Sequence, residues 1–353
     1  MATILLDGRM MEAAVYGGAV LGGGGGGWIE DGLQIGRLAL EVGQPRLVTP
    51  DELADDDLLV TVSLVGAPAA KEKFVKPIHY VRALELLSAA VKQPLKGIHT
   101  NENGAGTTVN GWFQAAVTGL PVVDLPCNGR AHPTGTMGSL NLHEQPGYVS
   151  HQAAVGGRGS RYVEMSVSST IEQAASLIRS VSVQAGGLVA VARNPVTVAY
   201  ARENGAPGGI RQAIKVGEAL LDHKGEAAIE AVCAALGGRV VVEGDVREYT
   251  LETTGGFDVG RVVIGDSELT FWNEYMTLEH DGERLATFPD LIMTLDARTA
   301  RPIVSAAIEK GQAVTVIHVP ARNLILSTTM RNRSLLKPIE DVIGKPILPY
   351  LES

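Results

Sequence analysis

The chain has 353 residues, room for two domains of ordinary size, and its 45% hydrophobic against 20% charged residues place it with folded globular proteins rather than disordered ones. A net charge of -9 with a pI near 5.4, and no Lys/Arg cluster to reverse it locally, speaks against nucleic acid as a partner. Cys127 and Cys233 are too few for a disulfide framework or a structural zinc site, no apolar run reaches the ~20 residues of a membrane span, and the opening MATILLDGRMMEAA has no basic stretch followed by an apolar core, so a soluble cytoplasmic protein with no membrane contact is expected.

In chain order, residues 4–6 read as a short strand or lead-in, and Asp7 stands where an N-cap belongs, ahead of a helix over 9–21. A helix over 29–42, a strand at 58–64, a helix at 78–91, a strand at 96–100, a helix at 108–118 and a strand at 121–125 follow. This alternation predicts an α/β domain with a mostly parallel sheet, and in such sheets ligands bind beyond the carboxyl ends of the strands. After about Gly159 the pattern changes. Helices at 170–184, 210–221 and 227–236 lead into strands at 239–243, 261–264, 269–272, 291–295 and 313–319, separated by EGD, TTGG, IGD and HDG turns. The expected division is therefore 1–165, carrying the site, and 166–353, a β-rich domain with a helical entry.

Residues 22–27 are six consecutive glycines. Glycine loses the most backbone freedom on folding, so the run needs a compensating reason: an anion-binding nest, a close backbone approach, or simply a flexible connector. No GK[ST] follows it and a helix rather than a strand precedes it, so no nucleotide cofactor is expected; Gly25 and Gly26 are kept as substrate-loop candidates.

Two polar loops carry the chemistry-bearing residues. GIHTNENGAGTTVNGW at 97–112 puts Asn101, Glu102 and Asn103 at a strand end, where Glu102 suits a metal ligand, a general base or a hydrogen-bond acceptor; Thr107 and Thr108 read as turn residues. GLPVVDLPCNGRAHPTGTMGS at 119–139 gathers Asp124, Cys127, Asn128, Arg130 and His132 within nine positions, among rigid Pro and Gly residues. Asp124 and His132 can ligate a divalent metal, Arg130 can clamp a carboxylate or imide oxygen, and Cys127 can be a nucleophile if a neighbour lowers its pKa. The plainer alternatives stay open: Asp124 as a cap paired with Arg130, Cys127 as a small buried hydrophobe, and His132 as a single histidine without a metal-spaced partner. Of the other histidines, His99 is the best candidate ligand because it adjoins the Glu102 loop.

At these residues the chain resembles the S-methyl thiohydantoin desulfurase family, whose members are often encoded beside hydantoinase and oxoprolinase subunits. The resemblance runs through GGAVLGGGGGG at 17–27, GAP at 66–68, NENGAG, AAVTGLPVVD at 115–124 and GRAHP at 129–133, then GGFDVG at 255–260, WNEYM at 272–276 and FPDLIMTLD at 288–296. It implies a Rossmann-like N-terminal domain, a β-rich C-terminal domain, and chemistry on five-membered cyclic ureides or thioureides. The chain departs from the commoner pattern in NENGAG, in Thr134 after GRAHP and in LPCNG, all at the proposed site.

Three readings follow. The first is a hydrolase in which Glu102, Asp124 and His132 hold a divalent metal, zinc being a candidate, or orient water, while Asn101, Asn103, Asn128, Arg130, Gly25 and Gly26 bind a small cyclic substrate. The resemblance adds Asn273, Glu274 and Asp290 closing over the cleft. The second makes Cys127 the nucleophile, and the third is a non-catalytic accessory subunit of a hydantoinase-type system. A homo-oligomer is expected on general grounds.

Overall fold

Short apolar runs alternating with amphipathic helices build one sheet from strands between Ile4 and Thr197, and closely spaced turns build another between Arg239 and Val319. The computed structural model describes residues 3–67 and 70–351, so Pro68 of the GAP triplet lies outside the described residues. The first sheet contains β1 (Ile4–Leu5), β2 (Arg46–Val48), β3 (Leu58–Gly66), β4 (Leu95–Thr100), β5 (Val122–Val123), β6 (Ser150–Gly156), β7 (Val163–Ser169) and β8 (Leu188–Thr197), in the order β1-β2-β5-β4-β3-β8-β6-β7. Its core β2-β5-β4-β3 is parallel. The expectation of a mostly parallel sheet holds for that core and is corrected on either side of it, because β1 joins β2 antiparallel and β8, β6 and β7 add three further antiparallel pairings beside β3. The expected division at 165 falls inside β7, and β8 from beyond it still belongs to this sheet.

The second sheet is antiparallel throughout: β9 (Arg239–Thr254), β10 (Phe257–Ile264), β11 (Ser267–Trp272), β12 (Glu274–His280), β13 (Glu283–Thr287), β14 (Leu291–Asp296), β15 (Pro302–Ile303) and β16 (Ala313–Val319), in the order β13-β12-β11-β10-β9-β16-β14-β15. Helices α1 (Gly8–Leu21), α2 (Ile29–Val42), α3 (Pro77–Ala90), α4 (Trp112–Thr118), α5 (Ile171–Gln184), α6 (Val198–Asn204), α7 (Gly209–Leu221), α8 (Glu226–Leu236) and α9 (Arg333–Ile343) pack around the two sheets. None of the described helices is long and apolar enough to cross a membrane.

Local signals account for many of these boundaries. Asp7 accepts the Met10 N–H at 2.8 Å and starts α1 as a side-chain cap, and Thr170 does the same for α5 through Gln173. The helix expected over 108–118 begins only at Trp112, because Gly111 adopts a left-handed φ of 93° and breaks it from the preceding turn.

The crossing of α1 and α7 joins the two halves of the chain. A Cβ on Gly17 would overlap the Ala213 carbonyl oxygen, and one on Gly217 would overlap that of Ala13, so these helices touch backbone to backbone. We expect Gly17→Ala or Gly217→Ala to destabilise the protein by about 1–3 kcal/mol through overpacking. Urea unfolding measures this against Gly8→Ala, whose new methyl meets nothing within 4 Å and should not lower the midpoint.

Candidate active site

β4 and β5 are parallel neighbours, so the loops leaving their carboxyl ends run side by side. Cys127 N–H donates to the Thr100 carbonyl at 2.9 Å and Asn128 N–H to that of Asn101 at 3.0 Å, which zips the two loops together. This brings Glu102 to His132: its Oε2 accepts the His132 backbone N–H at 3.2 Å and lies 3.2 Å from His132 Nε2, a close but poorly aligned contact that leaves both ring nitrogens without a well-formed hydrogen bond. Both residues are buried, yet both line a cleft with Gly26, Asn101, Thr107, Arg193 and Glu274. Trp28, Leu64, Val65 and Leu188 give the cleft apolar walls.

Burial decides the charge states. It pushes Glu102 up to about 7, against the opposing pull of the His132 N–H and of Arg193, Asn101 and Arg130. It also pushes His132 down to about 3, helped by Arg193. Near neutral pH the imidazole is therefore uncharged and the carboxylate is balanced between its two forms, so the contact is not an ion pair. Several polar atoms facing this region have no partner: Asn101 Oδ1, Thr107 Oγ1, Arg193 Nε and Glu274 Oε2. Unpaired buried polar atoms are costly, and their convergence on one hollow marks a place for a polar ligand.

Other expected site residues are engaged elsewhere. Asp124 Oδ1 accepts the N–H groups of Ile210 at 2.8 Å and Arg211 at 3.3 Å, while Oδ2 binds Arg211 Nη1 at 3.0 Å; the residue anchors the start of α7 and is absent from the cleft lining. The triad of Glu102, Asp124 and His132 thus does not share one hollow. Glu102 and His132 offer two donors, short of the three protein ligands typical of a catalytic zinc site, and no group of three or more His, Cys, Asp or Glu side chains among the described residues is arranged to hold a metal. The expected divalent ion therefore does not fit these residues.

Cys127 is fully buried, its Sγ 3.3 Å from Thr61 Oγ1, and burial raises its thiol to about 11. His99 completes that internal chain, with Nε2 3.0 Å from Thr61 Oγ1 and Nδ1 2.9 Å from the Leu125 carbonyl. Neither belongs to the cleft. Asn103 donates to the carbonyls of Gly129 and Gly209, and Asn128 Oδ1 accepts from Ser327, so both amides brace loops rather than face a ligand. Arg130 lies over the Phe288 ring at 4.6 Å and donates through Nη1 to the carbonyls of Pro289 and Asp290, tying this loop to the second sheet. Asp290 itself binds His318 Nε2 at 2.8 Å. Gly25 lies against Glu274 Oε1, while Gly26 lines the cleft and accepts the Gly106 N–H at 2.9 Å.

Residue-level reading of the sequence missed Arg193 on β8, although a lone arginine in the apolar run LVAVARNPVT is a signal, since arginine is seldom buried without a purpose. Thr107, read as a turn residue, also faces the cleft. Gly135 and Gly138 make room here, for a Cβ on either would crowd Arg193 or His132.

Two profile models of one family together span almost the whole chain: the S-Me-THD-like N-terminal domain matches residues 9–166 and the S-Me-THD-like C-terminal domain residues 169–335. Among solved structures, the chain is similar to an X-ray crystal structure of a protein from Chromobacterium violaceum, with 22% identity and a TM-score of 0.75 over 100% of this chain and 98% of that one, a likeness of fold. No curated protein matches the chain.

Two checks follow from these placements. Asp124→Ala should cost about 1–3 kcal/mol in urea unfolding, because it leaves the buried N–H of Ile210 at the start of α7 without its acceptor. A thiol reagent applied to the native protein should modify the half-buried Cys233 and spare Cys127 until the protein unfolds.

Proposed function

The chain belongs to the S-Me-THD-like family, that of the S-methyl thiohydantoin desulfurases, and from this premise we propose that it is a hydrolase of five-membered cyclic ureides or thioureides in which Glu102 is the general base. The observation that carries the reading is a carboxyl group whose pKa burial raises to about 7, next to an uncharged imidazole, in a cleft with apolar walls and unpaired polar atoms. A base with an ordinary carboxylate pKa would be too weak to draw a proton from water, and one tuned to about 7 meets the working pH.

On an S-methyl thiohydantoin ring, water attacks the carbon that bears sulfur. Glu102 takes one proton as the new C–O bond forms, the C=N electron pair moves onto the ring nitrogen, and Glu102 hands the proton to that nitrogen, which returns the base to its ionised form. Collapse of the adduct breaks the C–S bond, leaves a carbonyl in the ring and releases a thiol. Arg193 Nε is a free donor for negative charge developing on the adduct, and Asn101 Oδ1 is a free acceptor for a ring N–H. His132 positions Glu102 through its backbone N–H. The same reading takes the parallel core as Rossmann-like and the enzyme as cytoplasmic and homo-oligomeric, with residues 1–165 supplying the base and Arg193 and Glu274 from beyond them completing the cleft.

The test is release of thiol and loss of thiohydantoin absorbance with purified protein across a panel of five-membered rings. Glu102→Gln should lower kcat by about 10²–10⁴-fold. With the wild type, kcat/KM should rise with pH through about 7, because the base works only when ionised and burial holds it protonated below that point. Turnover of no ring in the panel, or a Glu102→Gln variant as active as the wild type, would remove this function.

A further inference from the structure

The second sheet places a carboxylate opposite Glu102. Glu274 opens β12 directly after Asn273, whose left-handed φ of 57° turns the chain; Asn273 N–H donates to the Asp258 carbonyl at 2.7 Å, and its Oδ1 accepts the Asp258 N–H at 2.9 Å. On the other side, Tyr275 N–H donates to the Gly23 carbonyl and Ser305 N–H to that of Gly24, each at 2.8 Å. The bend and the glycine run thus clamp the backbone around Glu274. Its side chain passes over Gly25, occupying the space where any other residue would carry a Cβ, and enters the cleft. The residue is 2% exposed, and Oε2 has no hydrogen-bond partner.

The geometry points to Glu274 as the acid that protonates the leaving group, so that one sheet supplies the base and the other supplies the proton donor. This rests on the hydrolase reading above. Burial and the neighbouring Glu102 hold the Glu274 carboxyl protonated well above the usual carboxylate range. The cations that face it, Arg130 and Arg179, oppose this, but burial prevails; Arg130 Nη1 donates to the Pro289 and Asp290 carbonyls and Arg179 Nη1 to that of Gly256, while Arg130 Nε and Nη2 have no partner. An uncharged carboxylic acid with a free oxygen is a donor in waiting. When the C–S bond breaks, its electron pair stays on sulfur, the sulfur takes the Glu274 proton, and Glu274 regains a proton from the hydroxyl of the adduct as that oxygen becomes the ring carbonyl. The two protons gained, one on the ring nitrogen and one on sulfur, both come from the single water consumed.

Leaving-group dependence tests the role, because a thiol of low pKa departs without a proton. Two rings are compared, one bearing a methylthio group and one a para-nitrophenylthio group, with wild type, Glu274→Gln and Glu102→Gln. Glu274→Gln should lose about 100-fold or more in kcat on the methylthio ring and less than about 3-fold on the para-nitrophenylthio ring, the contrast expected of a general acid. Equal losses on both rings, or no loss on either, would overturn the assignment. Should the variant not fold, the wild-type pH profile decides: kcat must fall on the alkaline side for the methylthio ring and stay level for the other, and an alkaline fall shared by both or shown by neither overturns it. If Glu102→Gln keeps full activity while Glu274→Gln shows the contrast, the base assignment fails and the acid stands; if the wild type cleaves neither ring, both fall.

Discussion

The six glycines at 22–27 occupy the junction of the two sheets and the turn after β4, and the site exists because nothing protrudes from that backbone. Their carbonyls are put to use: Gly23 and Gly24 accept hydrogen bonds from Tyr275 and Ser305 of the second half, while Gly26 accepts from Gly106 at the end of the NENGAG turn and from Thr107 just after it. Carbonyl groups alone bind partners from both sides, and side chains from both halves lie where Cβ atoms would otherwise be. The conformational entropy lost by ordering so many glycines is offset by these hydrogen bonds and by the approach they permit.

Given that frame, desolvation sets the chemistry. Glu102 sits among Arg193, Arg130 and the His132 N–H, all of which favour its charged form, and yet burial prevails. Distance and commitment explain the outcome. Arg130 is turned toward carbonyls of the second sheet, and His132 is itself kept uncharged by burial and by Arg193, so it brings no compensating charge. A carboxylate bonded directly to a guanidinium, as Asp124 is to Arg211, is locked into structure; one held a step away from its cations stays available for proton transfer.

Much of this was legible in the sequence wherever the determinant was local. The Asp7 cap, α2 at its exact limits, the strand-loop arrangement around NENGAG and GRAHP, and the meeting of Glu102 with His132 follow from residues near one another in the chain or from neighbouring strands. What could not be read was decided by distant partners. Asp124 looks like a ligand at a strand end until Arg211, 87 residues on, claims it, and Arg130 looks like a substrate clamp until Pro289, 159 residues on, takes its hydrogen bond. Asp290, which the resemblance brought toward the cleft, is bound to His318 instead. β9 was foreseen only over 239–243 because its exposed, charged continuation to Thr254 lacks the apolar alternation that marks a strand. β8 escaped notice as a near-continuous apolar run, which is how a strand covered on both faces appears.

That strand has a bearing on ancestry. The profile boundary at 166–169 separates two regions of sequence, but β8 lies past it and is inserted between β3 and β6 of the first sheet. The C-terminal region holds the whole second sheet, but the N-terminal region lacks a central strand of the first, so the pair is woven rather than strung like beads. Recombination that exchanged one region for a foreign counterpart would pull a central thread from its neighbour, and the two are therefore bound to be inherited and to diverge as one.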